Sequence, residues 1–378
     1  MRDKVCSRDL KVLIVCPSES YKSVDRKALA DCQLLRDMGG NPNLYCIKGS
    51  TLDSKAEALD LPRILFSKSG NKKKRSLALS MDLRKTLMDD WDIVHCYHLN
   101  SLWPLAFFLF SKPRISLFLS LNQFFEESFS VRFFSWMLNR VDSIFTFTDC
   151  SAQRVVSFFE VPERKVKVTG IGIMSSSHKN CSDIERESGA NRVVTFLNDE
   201  SEINNLKVLC SVLNSLSNQS GEKFLLKVYT FKPIKDFYEY LDLKKSLNLN
   251  KEATSVEFSE SEVISGPLSF GDCFVSLSFF EPITDLEMES LLSGVPVVFP
   301  RTAARQEVIK EYELNSSTYF SQDGRALREA ISSSLKDKLL VSTKLAQVHG
   351  DEAYISCIHN SYEVSVKKRI RFDQMRKM

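Results

Sequence analysis

The sequence lacks closely spaced cysteines, a large net charge and a long apolar run. Its ten cysteines are spread along 378 residues, which excludes a zinc knuckle or a Cys-x-x-Cys redox pair and favours reduced thiols in the cytoplasm. With 51 basic and 48 acidic residues the net charge is only +3, so we do not expect nucleic acid as a partner. The longest apolar stretch, at 102–110, is about half of a membrane span. We therefore expect a soluble protein, or one that rests on a membrane without crossing it. The first apolar run is also too short for a secretory signal.

Two series of alternating strands and helices dominate what the sequence does contain. The apolar runs LKVLIVC (10–16) and RVVTFL (192–197) each open a series, and both have the length and composition of buried parallel strands. This alternation predicts an α/β protein with two Rossmann-like, doubly wound parallel sheets facing across a cleft, followed by a helical tail. We divide the chain into an N-terminal Rossmann-like domain (1–175), a linker (176–191), a C-terminal Rossmann-like domain (192–350), and a helix with a basic tail (351–378).

The same patterns predict the boundaries of the individual elements. We expect further strands at 43–47, 91–97, 115–121, 143–148, 165–171, 224–231, 273–280 and 295–299. We expect helices at about 24–38, 77–89, 128–140, 203–217, 234–246, 285–293, 324–335 and 338–369, and a polar loop at 67–76.

The strongest local signal is the strand-turn-helix segment at 271–300. The strand delivers Glu281 at its carboxyl end, and Thr284 with Glu287 matches a capping box at the start of a helix. Glu289 lies on the second turn of that helix, which Gly294 ends. We expect both Glu281 and Glu289 at the cleft, where carboxylates accept hydrogen bonds from sugar hydroxyls and free helix N–H groups hold a phosphate. The alternative is a surface turn with a well-capped helix.

This segment resembles the Glu-x(7)-Glu signature of the retaining GT-B glycosyltransferases of family 4. Glu281, Pro282, Glu289, Gly294, Pro296 and Val297 stand in register with that signature. Asp272, the stretch 301–309 with Glu307, and the segment 141–173 with Val161, Pro162, Lys165 and Val166 extend the resemblance over nearly the whole chain.

The resemblance implies roles for particular residues. The N-terminal domain would bind the acceptor and the C-terminal domain the nucleotide sugar. Glu281 would contact donor-sugar hydroxyls and Glu289 the ribose, while the backbone N–H groups of Asp285 and Leu286 would meet the diphosphate. Thr284, also on the donor side, replaces the glycine that lets the backbone approach the sugar. His98 is a candidate for the reacting centre. His95, Tyr97, Ser18 and Ser20 are candidates for the acceptor side of the cleft. His95 matches the first histidine of the family's His-x-His, whereas Tyr97 occupies the second position. His98 would need a small bulge to reach the cleft, and the alternative is that His95 packs beneath the sheet and His98 is a loop residue.

The implied reaction transfers a sugar from a nucleotide-diphosphate donor to an acceptor hydroxyl with retention, by front-face substitution. The resemblance implies no cofactor and no metal. A glycan or a lipid-linked acceptor would place the enzyme in cell-surface polysaccharide or glycolipid synthesis.

The sequence departs from the family pattern where the diphosphate would bind. Asn198 and Asn204 stand where an Arg and a Lys are usual, and Asp285 adds negative charge at the helix start. Lys207, Arg301 or Arg305 could supply the missing positive charge, although each of these side chains is more often a solvated surface charge. The chain is therefore either an active, divergent transferase or a catalytically inactive paralogue that serves as a binding or scaffolding subunit.

Two basic stretches and one aromatic helix raise the question of membrane contact. KKKR at 72–75 and the basic residues of the tail could dock on the anionic inner face of a membrane, or be a solvated loop and a frayed terminus. The aromatic residues of 128–141 wrap too far around a helix for a simple surface stripe, which favours core packing.

Overall fold

The computed structural model divides the chain into two compact units. Unit 1 contains Met1–Gly170 and Glu352–Met378, and unit 2 contains Ile171–Asp351. The structure describes residues 10–18, 23–67, 72–99, 101–102, 104–105, 115–121, 131–170, 190–197, 202–230, 254–260, 271–279, 283–314, 317–320, 323–336 and 351–377. Within those ranges, every helix is too short or too polar to cross a bilayer.

Unit 1 is built on a seven-stranded parallel sheet with the order β3-β2-β1-β4-β5-β6-β7. Its strands are β1 (Lys11–Val15), β2 (Asn41–Ile47), β3 (Arg63–Phe66), β4 (Ile93–Cys96), β5 (Ser116–Ser120), β6 (Ser143–Thr146) and β7 (Val166–Val168). The helices are α1 (Ser23–Asp37), α2 (Thr51–Ala58), α3 (Lys72–Thr86), α4 (Val131–Leu138), α5 (Asp149–Phe159) and, from the far end of the chain, α10 (Asp351–Lys377).

Both faces of this sheet are covered, as continuous apolar strands require. On one face Val94, Leu117 and Ile144 belong to a large apolar cluster of buried residues. On the opposite face α10 packs against the sheet, with the Tyr362 ring 4.7 Å from the ring of Phe118. The helix from the end of the sequence is therefore a layer of unit 1.

Unit 2 repeats the same plan with a parallel sheet of order β10-β9-β8-β11-β12-β13. Its described strands are β8 (Ala190–Leu197), β9 (Lys223–Thr230), β10 (Thr254–Glu260), β11 (Cys273–Val275), β12 (Val297–Pro300) and β13 (Ser317–Tyr319). The described helices are α6 (Ile203–Ser220), α7 (Asp285–Leu292), α8 (Ala303–Glu311) and α9 (Gly324–Lys336). A buried apolar cluster under α6 and α9 forms its core.

The two doubly wound sheets confirm the predicted fold class, but several local predictions were wrong. The basic run at 72–75 lies in the first turn of α3, because helical hydrogen bonding begins at Lys72 and not after residue 76. The strand predicted at 273–280 ends at Val275. The basic tail belongs to α10, which continues to Lys377, and Arg369 of this helix forms an ion pair of 2.5 Å with Asp142. The predicted helix at 234–246 lies outside the described residues.

The aromatic helix α4 has a divided character. Phe134, Met137 and Leu138 are buried, as core packing predicts, whereas Phe133 and Trp136 are about two-fifths exposed. The two exposed rings stack on each other with centroids 6.2 Å apart.

Candidate functional site

The sheet of unit 2 reverses its winding direction between β8 and β11. β8 pairs with β9 on one side and with β11 on the other, so the connections that leave β8 and β11 run to opposite sides. Open α/β sheets bind ligands outside the carboxyl ends of the strands at such a switch point. α6 follows β8 and α7 follows β11, so two helix N-termini lie at this edge. The Asn205 side chain, in the first turn of α6, donates a hydrogen bond of 3.0 Å to the Leu277 carbonyl and joins the two connections.

The start of α7 is fixed by the capping box that the sequence predicted. The Thr284 hydroxyl accepts a hydrogen bond of 3.1 Å from the Glu287 backbone N–H, and the Glu287 carboxylate accepts one of 2.7 Å from the Thr284 N–H. At the other end, Gly294 adopts a left-handed φ of 74°, which confirms its predicted role in ending the helix. The N-terminus of α7 is thus held rigidly at the switch point.

A buried ion pair beneath α7 was not predicted. Arg305 and Glu287 are both fully buried, and the Arg305 Nη2 lies 2.6 Å from the Glu287 Oε1. The Arg305 guanidinium also donates to the Ser278 carbonyl in the connection after β11. Its charge is therefore neutralised inside unit 2, and this burial excludes Arg305 as a surface source of positive charge in this structure.

The other residues predicted to bind the donor have different surroundings. Thr284, Leu286 and Glu289 are buried at the start of α7, and Asp285 is the first residue of that helix. Lys207 is exposed on α6, and Arg301 is exposed after β12 with its guanidinium 4.9 Å from the centre of the Phe320 ring. Glu281 and Asn198 lie outside the described residues.

The sheet of unit 1 has its own switch point between β1 and β4. β1 pairs with β2 on one side and β4 on the other, so Cys16 and His98, just beyond these strands, lie near one edge. The Cys16 thiol donates a hydrogen bond of 3.1 Å to the Asp25 carboxylate, and the His98 Nε2 lies 3.6 Å from the same carboxylate oxygen. Ser18 is half-buried in this connection, and Ser20 lies outside the described residues.

His95 and Tyr97, which precede His98, are interior residues. The His95 ring nitrogens lie 2.7 Å from the Tyr362 hydroxyl and 2.9 Å from the Ser120 hydroxyl. Tyr97 donates to the Asp31 carboxylate, which also accepts 2.6 and 2.7 Å hydrogen bonds from Tyr354 and Lys27. The alternative that places His95 in the packing beneath the sheet therefore describes its position.

Burial changes the acid–base properties of this interior network. Desolvation, reinforced by the nearby Lys27 ammonium, lowers the pKa of His95 to about 3, so the imidazole is neutral at physiological pH. Desolvation also raises the pKa of Tyr97 well above its ordinary value, and Asp31 adds to that shift. A permanently neutral His95 acts as a hydrogen-bonding structural group in unit 1.

Comparison with known proteins defines the fold. HepE from Anabaena, solved in complex with UDP and glucose, matches with a TM-score of 0.73 at 15% identity over 94% of this chain and 99% of HepE. A glycosyltransferase from Rickettsia africae matches with a TM-score of 0.69 at 16% identity, over 96% of this chain and 97% of that chain. Sucrose-phosphate synthase from Thermosynechococcus elongatus matches with a TM-score of 0.67 at 11% identity, over 97% and 98% of the two chains. The chain therefore has the fold of the GT-B glycosyltransferases. No family model and no curated protein matches it by sequence.

Proposed function

We propose that this chain is a glycosyltransferase that moves a sugar from a nucleotide-diphosphate donor to an acceptor hydroxyl with retention. The observation that carries the proposal is the switch point of unit 2, where the N-termini of α6 and α7 lie at the carboxyl ends of adjacent strands. Backbone N–H groups and helix dipoles at such an edge favour a diphosphate. The fold that the chain shares with HepE, a protein solved with UDP and glucose, supports the same interpretation.

We assign roles to individual residues of unit 2 from the family resemblance, and the positions of the described residues support some of these assignments. We assign the diphosphate to the N–H groups of Asp285 and Leu286, which the Thr284 cap holds in place. Lys207 is exposed one turn into α6, on the helix that follows β8, and we assign it the neutralisation of the leaving-group charge. Arg301 is a second exposed cation, after β12. We assign Glu289 to the ribose and Glu281 to the donor sugar.

In unit 1 we assign His98 to the reacting centre and Ser18 to acceptor contacts. His98 has a side chain that is one-fifth exposed, in contrast to the fully buried His95. The acceptor that we propose is a glycan or a lipid-linked acceptor. We also propose a peripheral membrane contact. It is supported by the exposed Phe133 and Trp136 on α4, because aromatic rings partition to the bilayer interface.

A second function has a specific observation in its favour. The first residue of α7 is acidic, Asp285, at the helix end where a phosphate would bind. Negative charge in the first turn opposes the binding of an anion there, by roughly 0.3–1 kcal/mol when exposed. A chain that binds no donor would be a non-catalytic scaffold or binding subunit with the same fold.

Titration calorimetry with UDP, ADP and GDP separates the two functions. For a transferase we expect one of these diphosphates to bind, and Lys207→Ala to weaken it about tenfold, equivalent to about 1.4 kcal/mol. The matched control is Lys223→Ala, because Lys223 is also exposed but starts β9 at the opposite edge of the sheet. Absence of binding by all three nucleotides would favour the scaffold, and equal losses in the two variants would remove Lys207 from the donor site.

A further inference from the structure

Three potential metal ligands converge at the switch point of unit 1. The Cys16 sulfur, a carboxylate oxygen of Asp25 and a ring nitrogen of His98 all lie within 4.8 Å of one another. Among the described residues, no other group of three His, Cys, Asp or Glu side chains meets this condition. The ligands come from three places: the residue directly after β1, the first turn of α1 and the connection after β4.

The distances agree with a shared ion. Ligand atoms of a tetrahedral zinc site lie about 3.3–3.7 Å apart, given metal–ligand lengths of about 2.0–2.3 Å. The Cys16 Sγ and Asp25 Oδ1 are 3.1 Å apart, and the His98 Nε2 and Asp25 Oδ1 are 3.6 Å apart. Small side-chain adjustments therefore suffice to place one ion between the three atoms.

One ring nitrogen of His98 is a buried polar atom without a hydrogen bond to any described residue. This atom is Nε2, and its distance of 3.6 Å to Asp25 is too long for a hydrogen bond. An unsatisfied buried polar atom is costly, and metal coordination removes that cost. The remainder of the His98 side chain is one-fifth exposed, which gives an ion access from solvent.

We propose that Cys16, Asp25 and His98 form a binding site for a zinc-class divalent cation. Sulfur, nitrogen and oxygen donors together select borderline metals such as Zn²⁺ over the hard cation Mg²⁺. On binding, the Cys16 thiol gives its proton to solvent and the thiolate and carboxylate charges balance the two positive charges of the ion. Three protein ligands leave the fourth tetrahedral position open to water.

The metal site does not depend on the proposed transferase function. One consequence does rest on that function: a bound ion occupies the His98 nitrogen, so zinc-loaded and zinc-free chains would differ in transfer. Direct measurements of metal binding test the site by itself. A negative result for the metal site therefore does not contradict the transferase proposal, and a negative result for the transferase does not contradict the metal site.

The test uses the full chain, freed of any histidine tag and treated with a chelator. We expect calorimetry to show one Zn²⁺ bound per chain, no competition from Mg²⁺, and a thiolate-to-metal charge-transfer band when Co²⁺ replaces zinc. Cys16→Ser should abolish that band, and Asp25→Asn and His98→Gln should each weaken Zn²⁺ binding at least roughly tenfold. Cys357→Ser and His359→Gln are the matched controls, because both residues belong to α10 and lie outside the cluster.

Binding that is absent, or that survives all three cluster variants, overturns the proposal. The cluster is then a hydrogen-bonded set of thiol, carboxylate and imidazole. If Cys16→Ser does not fold, as judged by circular dichroism, His98→Gln decides the question, because the partly exposed His98 tolerates replacement better than a buried residue.

Discussion

Neutralising Glu287 should destabilise unit 2 far more than neutralising an exposed glutamate. Glu287 and Arg305 are both fully buried and 2.6 Å apart, so Glu287→Gln leaves the Arg305 charge buried without its counter-charge. Breaking a buried pair in this way costs about 3–5 kcal/mol. Glutamine at this helix position can still complete the capping box with Thr284, so the substitution removes the charge and keeps the cap.

Urea unfolding followed by far-ultraviolet circular dichroism measures the effect. With a denaturant slope of about 2 kcal/mol/M, the midpoint should fall by about 1.5–2.5 M. The tryptophans at 91, 103 and 136 all belong to unit 1. Their fluorescence therefore reports whether Glu287→Gln also lowers the stability of unit 1.

The matched control is Glu329→Gln. The Arg325–Glu329 ion pair, at 3.1 Å, joins side chains that are 82% and 63% exposed, so its loss should cost no more than about 0.5 kcal/mol. Each single variant, Glu287→Gln or Arg305→Met, leaves one buried charge without its partner, whereas the double variant leaves no buried charge. The double variant should therefore lose less stability than the sum of the two single losses. A Glu287→Gln midpoint equal to that of Glu329→Gln would refute the reasoning.

Two further predictions concern the interior network of unit 1. The unfolded chain protonates His95 below about pH 6.5, while the folded chain does so only near its pKa of about 3, so stability should fall as the pH drops through this window, by up to about 1.4 kcal/mol per pH unit. His95→Gln should remove that part of the pH dependence in urea titrations; an unchanged slope would mean that His95 titrates normally when folded. Tyr354→Phe removes a 2.6 Å hydrogen bond to the buried Asp31 and should cost about 1.5–3 kcal/mol in the same assay. Adding Asp31→Asn should make the loss from Tyr354→Phe smaller, and strictly additive losses would contradict a direct coupling.

The sequence predicts those parts of the fold that depend on residues close together along the chain. Apolar runs located β1 and β8, and the spacing of Thr284 and Glu287 located the capping box of α7, because these signals involve neighbours along the chain. β13 (Ser317–Tyr319) is short and polar, with no apolar run to mark it. The run at 72–75 resembles a loop because it contains no apolar residues whose spacing would indicate a helix, although lysine and arginine are both good helix formers.

The candidate sites are harder to predict because their residues meet only after folding. Arg305 lies 18 positions from Glu287, and Tyr362 lies 267 positions from His95. Cys16, Asp25 and His98 follow no metal-ligand spacing, since the pairing of β1 with β4 at the switch point brings them together. The functions of Lys207, Glu289 and His98 stay predictions.

The position of α10 has a consequence for how the protein is made. During translation the strands of unit 1 emerge from the ribosome first. The helix α10, which carries Tyr354 and Tyr362, emerges only after all of unit 2 has been translated. Until then His95 lacks its contact with the Tyr362 hydroxyl, Asp31 lacks the hydrogen bond from Tyr354, and the face of the first sheet that α10 covers is open to water. Unit 1 is therefore completed only at the end of translation, and until then it exposes apolar surface of the kind that makes incomplete folds prone to aggregation.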